Sequence, residues 1–134
     1  IRFFAWLYNY DSNDDEFGKY HRDRLLQEWY HDGYIITPFK RKIEVDSRKA
    51  LNYLIQSTTA DLVLDRAVAL DHWLADYQSF VSHIIHDEVV IDLADNERHL
   101  VPVIKNIFSE NKLDKFLVNL TCGKNYYDLQ ELKL

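Results

Sequence analysis

The sequence predicts an α+β fold in which helices, one of them long and central, pack on an antiparallel sheet. Three observations carry this. From Ser47 to about Tyr77 nothing breaks a helix, and Leu51, Leu54, Ile55, Ala60, Leu62, Val63 and Ala67 keep an apolar stripe. Two pairs of short runs rich in β formers, Tyr34–Thr37 with Lys42–Val45 and Ser79–Ile85 with Glu88–Leu93, each meet at a short turn. The chain is 47% hydrophobic and 28% charged, enough apolar surface for a core and unlike a disordered segment.

At 134 residues the chain suits one domain. Its 16 Lys+Arg against 22 Asp+Glu give −6, which argues mildly against a free-standing nucleic-acid binder. A single cysteine, Cys122, cannot form an internal disulfide, so a secreted disulfide scaffold is excluded. No apolar run approaches the ~18 residues of a membrane helix, and no signal peptide is expected. No membrane partner and a cytoplasmic location are expected. Methionine is absent. The chain opens inside an apolar, helix-like phrase, IRFFAWLYNY, with no capping residue before it. The expectation is a piece of something longer.

The elements follow in order. The first phrase ends a helix near Asn9, and Asp11 to Asp15 is a polar break where Ser12 or Asp14 caps the next helix. Phe17, Tyr20, Leu25, Trp29 and Tyr30 lie near helical spacing, and Gly33 stops that helix. The first strand pair surrounds Pro38-Phe39. The long helix follows, then the second strand pair, joined at His86-Asp87. Asp95 or Asn96 caps a helix to about Asn111, with Pro102 tolerated in an early turn. Lys115–Thr121 is a last strand, and Cys122–Leu134 is a tail.

The sharpest chemical signal is His86-Asp87-Glu88. Tight hairpins favour Asn-Gly or Asp-Gly at such a turn, and His-Asp lacks the glycine that positive φ prefers. A local rule broken inside a consistent hairpin points to function. The turn lifts Asp87 to the tip beside Glu88, where carboxylates suit a hard cation such as Mg²⁺. The competing interpretation is an ordinary solvated turn. A second metal set, His72, His83, His86 and Asp87, is similar to the ligands of helical metal-dependent phosphohydrolases. Residues 80–93 favour strand, however, and in a strand His83 and His86 point to opposite faces. On the long helix Asn52 and Gln56 project from one face, followed by Thr59, a row suited to sugars, phosphates and minor-groove edges. Lys40, Arg41, Lys42, Arg48 and Lys49 form a local basic run able to track phosphates. Phe4 and Tyr8 share a helix face that suits stacking on a nucleotide, or a place in the core.

Taken in order, these pieces resemble the C-terminal part of DNA polymerase I-type (family A) enzymes, particularly those of phages. Phe4-Ala5-Trp6-Leu7-Tyr8-Asn9 is similar to the second half of the fingers-helix motif. Gly33-Tyr34 through Thr37-Pro38-Phe39-Lys40-Arg41 resembles the family's Gly-Tyr…Thr…Phe-Gly-Arg hairpin. Asn52…Gln56-Ser57-Thr58-Thr59-Ala60-Asp61 resembles its Asn…Gln-Gly-Ser/Thr-Ala-Ala-Asp helix, and His86-Asp87-Glu88 its palm carboxylate motif. The resemblance covers essentially the whole chain. It implies fingers-like helices over residues 1–33 and a palm-like part over residues 34–134. It implies that Asp87, assisted by Glu88, holds a Mg²⁺ pair with a second aspartate, and that His86 sits by the primer terminus. Phe4 would pack on the sugar of the incoming dNTP, and Tyr8 would line the nascent-pair pocket. Arg41, Asn52 and Gln56 would contact primer-template DNA.

The departures are equally specific. The family's other catalytic aspartate has no counterpart here, and the Arg and Lys that grip the triphosphate would lie before Ile1. Lys40 and Ser57 stand where the family usually has Gly, and Ile84 replaces a common Gln. The chain alone is expected not to polymerise, to need the rest of a polymerase chain, and to self-associate through apolar surface left uncovered. The alternatives are a non-catalytic remnant that binds DNA or a partner, and the helical phosphohydrolase.

Overall fold

The structure, a computed structural model, describes residues 6–8 and 20–133. Phe4, the polar break at residues 11–15 and Phe17 lie outside the described residues. Contacts divide the chain into two compact units, Ile1–Asp61 and Leu62–Leu134. Both contain helix and antiparallel strand, so the α+β class holds. The strands form three separate two-stranded ribbons.

In the first unit, residues 6–8 are helical and α1 spans Arg22–Trp29. This helix starts later than its apolar spacing predicts. His21 precedes it at φ 48 with no side-chain cap, and Tyr20 lies outside it. The chain then reverses through Asp32-Gly33, where Gly33 takes φ 95, the left-handed conformation that glycine adopts freely. Next come β1 (Tyr34–Ile36) and β2 (Lys42–Glu44), with Ile35 opposite Ile43. The connection places Lys40 at φ 65, and its N–H donates to the Thr37 carbonyl at 2.8 Å. The core of this unit gathers Trp6, Leu7 and Ile35 against Ala50, Leu51 and Leu54 of α2.

Helix α2 spans Ser47–Leu74, three residues short of the predicted end, and the boundary between units falls within it. Its buried positions are Ala50, Leu51 and Leu54, then Val63, Ala67, Leu70 and Leu74, the i, i+4, i+7 rhythm of a helix with one buried side. Ala60 departs from the predicted stripe and is exposed.

In the second unit, β3 (Phe80–Ile85) and β4 (Glu88–Asp92) make the predicted hairpin. Leu70, Leu74, Leu100 and Ile104 form the core beneath it, with Val81, Val89 and Ile91 packed on top. The predicted helix from Asp95 is two pieces, a 3₁₀ helix over Asp95–Leu100 and α3 over Val101–Ser109. Pro102 sits in the first turn of α3, where its missing N–H costs nothing. Neither Asp95 nor Asn96 caps it. Ala94 holds the N-cap position without a side-chain bond, and Asp95 instead accepts from Arg98 Nη2 at 2.6 Å.

The predicted strand Lys115–Thr121 is a correction. Lys115 makes one isolated bridge to Glu110, and pairing resumes at β5 (Thr121–Cys122) against β6 (Gln130–Glu131). A run of β formers becomes a strand only where an edge accepts its hydrogen bonds. The tail is accordingly a small hairpin around a 3₁₀ turn, Tyr126–Asp128.

Candidate functional site

The turn His86-Asp87 connects β3 to β4 in an exposed position, and Ile85 pairs with Glu88 across the end of the ladder. His86 takes φ 54, a left-handed conformation that costs a non-glycine residue about 1 kcal/mol. The hairpin therefore keeps His-Asp where Gly would close the turn more easily. Asp87 and Glu88 stand side by side in solvent at the tip.

The hairpin is anchored at its base by Glu97. The carboxylate accepts from Gln78 N at 3.0 Å, and from Ser79 N at 2.8 Å and Ser79 Oγ at 2.6 Å. Ser79 Oγ in turn accepts from Ala94 N at 3.0 Å. One buried carboxylate so ties the start of β3 to the chain leaving β4. The bond from the Gln78 backbone, followed by that from the Ser79 hydroxyl, lowers the Glu97 pKa below its ordinary value, against an opposing effect of burial.

The first unit holds the other predicted site residues. Gln56 Nε2 donates to the Tyr8 hydroxyl at 2.6 Å, joining the segment 6–8 to α2. Both side chains are exposed. Asn52, one turn earlier, is half-buried, and its Oδ1 is buried without a hydrogen bond among the described residues. Arg41 is committed differently from a simple phosphate contact. Its Nη2 lies 3.0 Å from Asp61 Oδ1 and donates to the Ser57 carbonyl at 3.1 Å, while Nε donates to Asp61 Oδ2 at 3.2 Å. Thr37 Oγ1 adds a bond to the same Asp61 oxygen at 3.1 Å and accepts from Arg41 N at 3.2 Å. This network docks the β1–β2 hairpin on α2. Within the basic run, Lys42 Nζ stands 4.1 Å over the Tyr34 ring and Lys49 pairs with Asp46 at 3.9 Å.

Sequence reasoning quoted Asp61 inside a motif without giving it a role, and it did not find Glu97 or the partners of His83. Nothing periodic marks these residues, because all their partners but Ser82, which adjoins His83, lie far along the chain. Among the described residues, no three His, Cys, Asp or Glu side chains converge on a metal position. His72, His83, His86 and Asp87 do not form a centre. Asp87 and Glu88 offer carboxylate oxygens suited to a hard cation, but these described residues do not make a complete site. No described helix is long and apolar enough to cross a membrane.

Comparison with known proteins adds a direction. The chain is 35% identical over 77 residues to a DNA polymerase of Mycobacterium phage L5, across 55% of this chain and 13% of that protein. A DNA polymerase of Mycobacterium phage D29 is 37% identical over 73 residues, across 52% of this chain and 12% of that protein. The matched stretch is thus a small fraction of each relative. No family model matches the chain. No solved structure matches it. Over about half its length the chain is related to phage DNA polymerases.

Proposed function

We propose that this chain is the distal fingers and palm portion of a template-directed DNA polymerase of the DNA polymerase I type. Residues 1–33 belong to the fingers and residues 34–134 to the palm. The observation that carries this is the exposed His86-Asp87-Glu88 tip, held in a hairpin whose turn keeps His86 at φ 54. Supporting it are the kinship with phage DNA polymerases and the four motifs in that family's order.

On this reading Asp87 and Glu88 supply carboxylates to a Mg²⁺ site completed by the rest of the polymerase. Mg²⁺ held there would supply Lewis-acid activation of the primer 3′-hydroxyl and charge stabilisation for the leaving pyrophosphate. His86 stands beside the primer terminus. Phe4 and Tyr8 serve the incoming dNTP and the nascent pair. Asn52 and Gln56 read the minor-groove side of primer-template DNA, and Arg41 contacts it from the hairpin that Asp61 positions. The partners are primer-template DNA, dNTP and the remainder of the polymerase, inside a bacterial or phage-infected cell.

The test is Mg²⁺-dependent primer extension by the complete gene product, wild type against Asp87→Ala. Loss of the carboxylate removes several kcal/mol of transition-state stabilisation, so extension falls at least about a thousandfold while DNA binding survives. If the mutant extends as well as wild type, Asp87 is a turn residue and the motif alignment is wrong. A wild type that binds DNA without extending it makes the chain a non-catalytic remnant.

A further inference from the structure

Strand β3 contains a bulge. Val81 pairs with Ile91 and His83 with Val90, leaving Ser82 as the extra residue. Such an insertion changes the face that every later side chain takes, and bulges recur beside active sites because they re-aim residues. Val81, Val89 and Ile91 pack on the core of the second unit. Ile84 pairs with Val89 and shares that face, so His83, Ile85, Glu88 and Val90 occupy the opposite one. Without the bulge, His83 would share the core face with Val81. With it, the imidazole lies on the face of Val90 and Glu88.

On that face the imidazole is held from both sides. Ser82 Oγ lies 2.8 Å from Nδ1, and the Tyr126 hydroxyl bonds Nε2. Hydroxyls both donate and accept, so the pair is satisfied in either imidazole tautomer. Tyr126 comes from the tail hairpin, 43 residues away, and is 58% exposed, so ring burial does not explain the contact. The tail presents it on a built turn. Asn125 Oδ1 accepts from Tyr127 N at 2.9 Å and Asp128 N at 3.1 Å, and Asn125 Nδ2 donates to Asp128 Oδ2 at 2.7 Å. A Cβ at Gly123 would lie 2.7 Å from the Asp128 carbonyl oxygen, so the turn closes this tightly only with glycine there.

We propose that Tyr126 and His83 are positioning residues for the His86-Asp87-Glu88 tip, the tail hydroxyl fixing the bulged strand and thereby the aim of the two carboxylates. This rests on the polymerase reading of the same tip. The pair touches neither primer nor nucleotide and acts through the strand.

The experiment is steady-state primer extension with the complete gene product, comparing wild type, Tyr126→Phe, His83→Phe and His83→Gln, with thermal melting of each. Removing one hydrogen bond that orients the tip lowers kcat about fivefold. KM for dNTP, DNA affinity and melting temperature stay near wild type. His83→Gln keeps an acceptor for the hydroxyl and retains most of kcat, whereas His83→Phe, which also loses Ser82, falls at least as far as Tyr126→Phe. The double variant Tyr126→Phe/His83→Phe falls no further than His83→Phe alone, because that change already removes the contact to Tyr126. Unchanged kcat in Tyr126→Phe, with wild type active, overturns the positioning role and leaves the polymerase reading intact. So does a melting temperature that falls in step with kcat in every variant, which marks a purely structural contact. A wild type unable to extend primers overturns the polymerase reading, and this inference with it.

Discussion

Glu97 shows how much one carboxylate does when the backbone supplies its partners. It sits in a 3₁₀ helix whose sequence, Asp-Asn-Glu-Arg-His-Leu, reads as the polar start of a helix, yet it is only 8% exposed. Bonds from Gln78, then from Ser79, favour its charged form and lower its pKa. The sign follows from linkage. A carboxyl with a lowered folded pKa contributes stability above its unfolded value, and that contribution is lost as pH falls through the folded value. Glu97→Gln therefore lowers the urea midpoint at neutral pH. The gap between mutant and wild type narrows as the solution is acidified from about pH 4.5 downward. A gap of constant size across that window would mean that the charge of Glu97 contributes nothing to the clasp. Asp61 plays a comparable part in the first unit, accepting from Thr37 and Arg41 at once.

At the scale of elements, two turns break the same local rule, and they separate folding from function. Lys40 closes β1–β2 at φ 65 and His86 closes β3–β4 at φ 54, both in the conformation glycine prefers. Lys40→Gly and His86→Gly each relieve about 1 kcal/mol of backbone strain, offset in part by the greater freedom of glycine in the unfolded chain. Melting temperature holds or rises in both. On the polymerase proposal, primer extension by the complete gene product falls only for His86→Gly, because that proposal gives His86, and not Lys40, a place by the primer terminus. Equal extension by the two variants would make the His86 turn as ordinary as the Lys40 turn. These hairpins and α2 were legible in the sequence because each is specified locally, by a run of β formers beside a turn or by an uninterrupted apolar stripe. The bulge at Ser82 was not legible, since one extra residue in a ladder leaves no compositional trace. Lys115–Thr121 misled for the converse reason: its propensity is real, but among the described residues only its ends find partners, Lys115 in a bridge to Glu110 and Thr121 opposite Glu131. Of the site, the tip was visible as a broken turn rule, whereas the His83–Tyr126 and Arg41–Asp61 contacts depend on pairings across the fold.

At the scale of the molecule, what stays uncovered matters as much as what is buried. Each unit has its own small core, four to six buried apolar side chains with partly buried neighbours. Apolar side chains remain in solvent around them. On α2, Leu64 is 52% exposed and Val68 54%, one turn apart on the same face. On β3, Phe80 is 51% exposed, and Leu117 beyond α3 reaches 90%. Scattered apolar residues are normal on a surface, but adjacent ones on a regular element favour association, at roughly 25 cal/mol per Å² removed from water. The chain on its own is therefore expected to self-associate. Light scattering across a concentration series should show mass rising above the monomer. Leu64→Lys with Val68→Lys should reduce that rise without lowering the melting temperature, since neither side chain belongs to a core. The net charge of −6 opposes association, so added salt should strengthen it by screening repulsion. A wild-type chain that stays monomeric at high concentration and high salt would show that these exposed side chains do not form an adhesive surface.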